Sequence, residues 1–361
     1  TVYDQFPEIP SGSIGLFLGS HNRWTDEESE RLDRFCASNN AVALCDHTSN
    51  YKGKYRVLFS LPLSQDNYIP KLSQFDLLIH IGEISGEYSG LNCLHVKEVW
   101  RVNEDGEIRD TFHLISHVYD MSESSFFEHY IKWDTPMSDS FLTSYKEEYG
   151  RMLNKMPEIP FSNIWVAKQL APRLPENSVL HLGILNTLRS WNFFEIPDSV
   201  LSYSNVGGFG IDGCLSTLVG ASLVHKDKLY FGVFGDLAFF YDMNVVSNRH
   251  VGANLRILLI NNGKGVEFRN YNHQAAQFEE AADAFIAAAG HYGNQSPELI
   301  KHYAQDLGYE YLCASTKEEF EQVVSRYLTS EITDKPILFE VFTNTEEEKK
   351  ALNLVRSFEC D

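Results

Sequence analysis

Residues 229–236, Leu-Tyr-Phe-Gly-Val-Phe-Gly-Asp, and residues 255–262, Leu-Arg-Ile-Leu-Leu-Ile-Asn-Asn, decide the fold. Each begins with a short apolar run that does not alternate with polar residues. Such a run suits a strand covered on both faces of a sheet. Residues 238–250 between them are long enough for a crossover helix, and a strand, helix and strand of this length form a right-handed parallel unit. Neighbouring strands lie about 4.8 Å apart. Asp236 and Asn262 are therefore expected side by side at the carboxyl edge, where open α/β sheets bind ligands. A carboxylate, an amide oxygen and a loop carbonyl form a hard-oxygen set that suits Mg²⁺ holding a diphosphate.

The same alternation extends outward. Further strands are expected at 178–182, 309–313 and 336–342, with a helix at 163–170 and another running from a capping box, Thr316 with Glu319, to about residue 327. Upstream, residues 13–19 read as a strand ending at a glycine. A helix at 26–38 follows, opened by a capping box of Thr25 and Glu28. Strands are expected at 41–45 and 75–81. The turn at 19–24 lacks GxGxxG, so no dinucleotide is expected there. Residues 94–102 and 107–114 flank Glu104-Asp105-Gly106, a hairpin signal. Residues 120–160 read as a connection, helical around 145–152. The fold class is α/β: two domains, 1–158 and 159–361, each a parallel sheet flanked by helices.

The 361 residues suit two cores, and 43% hydrophobic content can fill them. The formal charge is −20, from 50 acidic and 30 basic residues, which argues against a nucleic-acid partner. Six cysteines (36, 45, 93, 214, 313 and 360) form no CxxC pair, as expected of thiols in a reducing compartment. No apolar stretch approaches the roughly 20 residues of a membrane span, and no signal peptide is visible, so a cytoplasmic protein is expected. The start at Thr1 rather than Met reads as a processed or truncated product.

Residues 205–213, Asn-Val-Gly-Gly-Phe-Gly-Ile-Asp-Gly, precede an apolar helix containing Ser216, Thr217 and Gly220. A glycine-dense turn opening a helix lets backbone amides approach an anion or a flat ring. Together with Gly235-Asp236 and Asn261-Asn262, this spacing resembles the thiamine-diphosphate signature of the 2-oxo-acid decarboxylase and synthase families. Gly-Ile-Asp-Gly at 210–213, and Gly235-Asp-Leu followed by Tyr241-Asp-Met-Asn244, look most like the menaquinone-pathway 2-succinyl-5-enolpyruvyl-6-hydroxy-3-cyclohexene-1-carboxylate synthases. The resemblance implies a central, transhydrogenase-like domain to residue 158, then a pyrophosphate-binding domain. It implies Mg²⁺ held by the side chains of Asp236 and Asn262 and the carbonyl of Lys264. Gly210, Ile211, Gly235, Leu237, Ala238 and Gly265 would stand against thiamine diphosphate, with Ile211 keeping it bent. Phe268 would line the pocket, and Arg189 would face a substrate carboxylate, which a guanidinium fork matches.

The resemblance also implies decarboxylation of a 2-oxo acid and transfer of its remainder to an acceptor. A homodimer or larger assembly is implied, as is a pyrimidine-binding domain, on this or another chain, that supplies a glutamate. The chain is then expected to be a fragment, or one subunit, holding half a catalytic site. Three positions depart from the pattern: Val206 replaces an arginine, Leu185 replaces a serine, and Ser85-Gly-Glu-Tyr88 lacks a lysine. With Glu87 and Glu267 added, multiply anionic substrates are expected to bind less well. A relative with another 2-oxo acid, or a non-catalytic subunit, are the alternatives. Cys45-Asp46-His47 and His80 lack partner motifs and are expected to be structural.

Overall fold

The computed structural model describes residues 6–67, 70, 73–87, 90–269, 273–289 and 295–358. Tyr88 and Cys360, and the start at Thr1, lie outside them. The chain divides into two compact units, one reaching Lys155 and the other spanning Met156–Phe358. Both are α/β with helices flanking parallel sheets.

The first unit runs β1 (Ile14–Leu18), α1 (Asp26–Asn39), β2 (Val42–Cys45), β3 (Arg56–Leu58), α2 (Ser60–Leu63), β4 (Gln74–Phe75), β5 (Leu77–Ile81), β6 (His95–Val96), β7 (Val99–Asn103), β8 (Ile115–Asp120), α3 (Glu123–Tyr130) and α4 (Ser140–Lys155). Its six-stranded sheet has the order β3-β2-β1-β5-β7-β8, and β4 pairs with β6 apart from it. The Thr25–Glu28 capping box opens α1 as expected: the hydroxyl accepts from the Glu28 amide, and the carboxylate accepts from the Thr25 amide at 2.8 Å. Such a cap contributes about 1 kcal/mol. Leu32, Phe35 and Cys36 bury the inner face of α1 in a core that includes Phe17, Leu44, Trp100 and Phe126.

Two local expectations fail. Glu104-Asp105-Gly106 does turn the chain, with Gly106 at φ +64, but no hairpin follows. Residues 107–114 form no strand, and β7 pairs with β8 in parallel, Trp100 facing His117. The turn chemistry is local, whereas the pairing partner is chosen by the buried run at 99–102. Thr316 caps its helix through the Glu319 amide, but the Glu319 carboxylate accepts from Ser315, so the box is not reciprocal.

The second unit runs α5 (Asn163–Leu170), β9 (Val179–Leu182), α6 (Asn186–Trp191), β10 (Leu201–Ser204), α7 (Cys214–Ser222), β11 (Tyr230–Gly235), α8 (Asp236–Asp242), β12 (Leu255–Asn261), α9 (Asp283–Ile286), α10 (Leu299–Asp306), β13 (Glu310–Ala314), α11 (Lys317–Tyr327), β14 (Ile337–Phe342) and α12 (Thr345–Arg356). All strands are parallel in the order β10-β9-β11-β12-β14-β13. β11 and β12 are neighbours with Gly235 opposite Ile260, so Asp236 and the Asn261-Asn262 step share the carboxyl edge. Their apolar residues are buried throughout. Arg256, inside β12, is also buried, and its guanidinium donates to the carbonyls of Ala253, Leu255 and Glu331. From β9 the chain turns to β10 on one side, and from β11 it turns to β12 on the other. That reversal leaves a crevice beyond the ends of β9 and β11, the usual ligand position in such sheets.

The first sheet has a comparable reversal between β1 and β5, but backbone closes it. The Glu83 amide donates to the Ser20 carbonyl at 2.7 Å, and the Gly19 amide to that of Ile81 at 3.0 Å. Beside it, His80 is buried in β5, and burial drives its pKa down to about 3, helped by Arg101 and Arg109. Asp46 is buried too, accepting from Thr48 and from the Ser85 hydroxyl. Among the described residues, no helix is long and apolar enough to cross a membrane.

Candidate functional site

Asp236 directly follows β11 and opens α8, with Gly235 in extended backbone as the cap. The carboxylate is 2% exposed. Its Oδ2 accepts from the amides of Asn262 (3.0 Å) and Gly263 (2.6 Å), and its Oδ1 from the amide of Leu237 (2.8 Å). Gly263 sits at φ +83, a conformation that favours glycine, and this aims its amide at the acid. Burial nevertheless lifts the Asp236 pKa to about 7, against the pull of these amides. No lysine or arginine among the described residues pairs with it. A second acid, Glu348, is itself lifted to about 7, by burial first and by the charge of Asp236 last.

The loop after β12 is held by a short antiparallel bridge. The Gly265 amide donates to the Ile286 carbonyl and the Ala288 amide to the Gly263 carbonyl, which leaves the backbone of Lys264 facing away from residues 286–288. The Lys264 amide meets Asn262 Oδ1 at 3.2 Å, while its ammonium pairs with Asp283, shared with Arg269. Opposite stands the glycine turn. Gly213, at φ +81, caps α7, and α7 is tied to the end of α8 by Ser216 bonding Asp242. Asn205 bridges His181 and Thr217, so the turn is anchored at both ends. Val206 is buried.

These segments enclose a cavity of about 570 Å³. Gly210, Ile211, Gly235, Asp236, Leu237, Ala238, Asn262, Lys264, Gly265 and Phe268 all line it, so one cavity gathers nearly every residue expected from the sequence. Arg189 is the exception. It is buried in α6 and its guanidinium pairs with Glu267, which does line the cavity. Glu87 belongs to the first unit.

Of the third wall, residues 183–187 after β9, sequence reasoning singled out Leu185 only as a departure from the family pattern, and it missed Asn163 at the start of α5. Leu185 there has φ +64, a strained setting for a branched residue that costs on the order of 1–3 kcal/mol. Strain of this kind gathers at functional sites. Gly183 at the strand end was the available signal; Asn163 had none, since only the fold brings it near.

The geometry defines a class: an α/β protein whose crevice at the sheet edge combines a buried acid, an adjacent amide and a glycine turn. Comparison with known proteins narrows this. The chain is 34% identical over 261 residues to the 2-succinyl-5-enolpyruvyl-6-hydroxy-3-cyclohexene-1-carboxylate synthase of Phocaeicola vulgatus, which covers 71% of this chain and 44% of that protein. It is 30% identical over 259 residues to the synthase of the same name from Bacteroides fragilis, with the same shares covered. The match to the Desulfotalea psychrophila synthase extends to 318 residues at 28% identity, 87% of this chain and 56% of that one. The chain spans about half the length of the curated relatives it matches. No family model matches it.

Proposed function

We propose that the chain is the cofactor-holding part of a thiamine-diphosphate- and Mg²⁺-dependent enzyme acting on a 2-oxo acid. The observation that carries this reading is Asp236: a buried carboxylate facing a cavity, fixed by three amides, with no cation paired to it among the described residues. Uncompensated buried charge is costly, and a divalent ion is the natural complement. The donor set fits Mg²⁺, with Asp236 and Asn262 offering side-chain oxygens and Lys264 its carbonyl. Gly210, Ile211, Gly235, Leu237, Ala238 and Gly265 fit a flat, phosphorylated ligand, being small or apolar at the wall. When bound, thiamine diphosphate supplies the electron sink that lets a 2-oxo acid lose CO₂. The chain's own residues orient the diphosphate, and Ile211 and Phe268 keep water from the reacting end.

In this reading the second unit is the pyrophosphate-binding domain and the first the central domain. A pyrimidine-binding domain on the same or another chain completes the site in a cytoplasmic homodimer or larger assembly. The names of the relatives support a synthase joining the decarboxylated fragment to an acceptor, as in menaquinone synthesis. The Arg189–Glu267 pair favours the second reading, a related enzyme with a different 2-oxo acid.

Titration calorimetry of the whole protein with thiamine diphosphate tests the proposal. Binding is expected only with Mg²⁺, and Asp236→Asn should weaken it by about 100-fold or more, since even outer-shell changes cost 10–100-fold. Absence of heat at millimolar cofactor, or equal binding with and without Mg²⁺, overturns the reading.

A further inference from the structure

We propose that Glu267 sets the substrate preference of the cavity, which accepts a 2-oxo acid whose far end is a hydrogen-bond donor rather than a second carboxylate. This rests on the cofactor reading above. Arg189 is the residue best placed by sequence to meet a substrate carboxylate, yet the structure hands it to Glu267. Glu267 lines the cavity and Arg189 does not, so this wall presents the acid, with the guanidinium behind it.

The remaining polar groups point the same way. Glu267 Oε2 has no hydrogen-bond partner among the described residues, and neither has Asn163 Oδ1. Asn163 is 1% exposed and also lines the cavity. Its amide nitrogen donates to the Asn186 carbonyl and to Ser190, which fixes its oxygen as the acceptor left over. Buried acceptors are rarely left unpaired. Two of them on residues that line this cavity match a donor such as a hydroxyl or an ammonium. Lys264 and Arg269 turn to the one carboxylate of Asp283, which they share, apart from the Arg189–Glu267 pair. A second substrate carboxylate would face the Glu267 carboxylate and would have to displace it from Arg189.

The test uses three probes of equal chain length: 2-oxoglutarate, 5-hydroxy-2-oxopentanoate and 2-oxopentanoate. CO₂ release and quenching of tryptophan fluorescence are followed with the whole protein, Mg²⁺ and cofactor. The wild type should favour the hydroxyl-tailed acid over 2-oxoglutarate by about tenfold or more in kcat/KM. Glu267→Gln removes the carboxylate that holds the guanidinium and should raise 2-oxoglutarate by about tenfold. Adding Arg189→Met should remove that gain, which identifies the cation responsible. A wild-type preference for 2-oxoglutarate overturns the assignment, and that ratio decides the matter even if a variant fails to fold. An unchanged ratio in a folded Glu267→Gln that still binds cofactor overturns it as well, leaving the cofactor reading standing. Loss of cofactor binding in the wild type sinks both.

Discussion

At the scale of single residues, two buried acids, Asp236 in the cavity wall and Glu348 near it, stand out. Asp236 and Glu348 are each lifted to about 7, from ordinary values of 3.8 and 4.5, chiefly by burial. The unfolded chain releases both protons near the lower values, while the folded chain keeps them up to about pH 7. Between those limits the native state binds more protons, so its stability falls as pH rises. The contribution is complete below about pH 4 and lost above about pH 7. In metal-free protein, the melting temperature should therefore drop between about pH 4 and pH 7. Glu348→Gln isolates half of this effect cleanly. Both donors, the Asn163 amide and the Thr343 hydroxyl, land on Oε1, which glutamine can retain. The variant should show a shallower pH dependence at unchanged fold. A steeper one, measured by thermal melts across the window, would contradict the assignment.

At the scale of elements, the strands that shape the site were legible and the loops that finish it were not. The apolar runs at 229–234 and 255–260 fill β11 and β12, because a fully buried strand leaves an unbroken hydrophobic record. β10 leaves none: Leu201-Ser-Tyr-Ser204 is an edge strand with polar residues, and β3 is three residues long. The false hairpin at 104–106 shows the same limit, since a turn signal says nothing of which strand the chain rejoins. Arg189 falls outside the cavity lining, paired with Glu267, and that partner, 78 positions away, could not be read from spacing. The Gly263 turn links element to function. Gly263→Ala forces a Cβ into left-handed backbone at a cost of about 1–2 kcal/mol, and relaxing that strain swings the amide off Asp236. A lower melting temperature together with weaker Mg²⁺-dependent cofactor binding is expected. Weakened stability with unchanged binding would show that this amide does not position the acid.

At the scale of the whole molecule, the charge of −20 sets the terms on which ligands arrive. Thiamine diphosphate and 2-oxo acids are anions, and a net negative field slows their approach. Proteins that recruit anions usually focus positive charge at the mouth of the site. Here the cations near the cavity among the described residues are largely offset: Arg189 pairs with Glu267, and Lys264 and Arg269 share Asp283. Steering by local cations is therefore weak, and repulsion by the overall charge dominates beyond the first contacts. Salt shortens the reach of that repulsion, to about 10 Å at 0.1 M. The association rate of cofactor at saturating Mg²⁺ should consequently rise with ionic strength between about 10 and 200 mM, the reverse of an electrostatically steered enzyme. Stopped-flow quenching of tryptophan fluorescence measures it, with Trp191 at the end of α6 as a nearby reporter. In Glu267→Gln the loss of one carboxylate beside the cavity should flatten the trend. A rate that falls with salt in the wild type would mean that cations at the cavity mouth, rather than the acidic surface, govern entry.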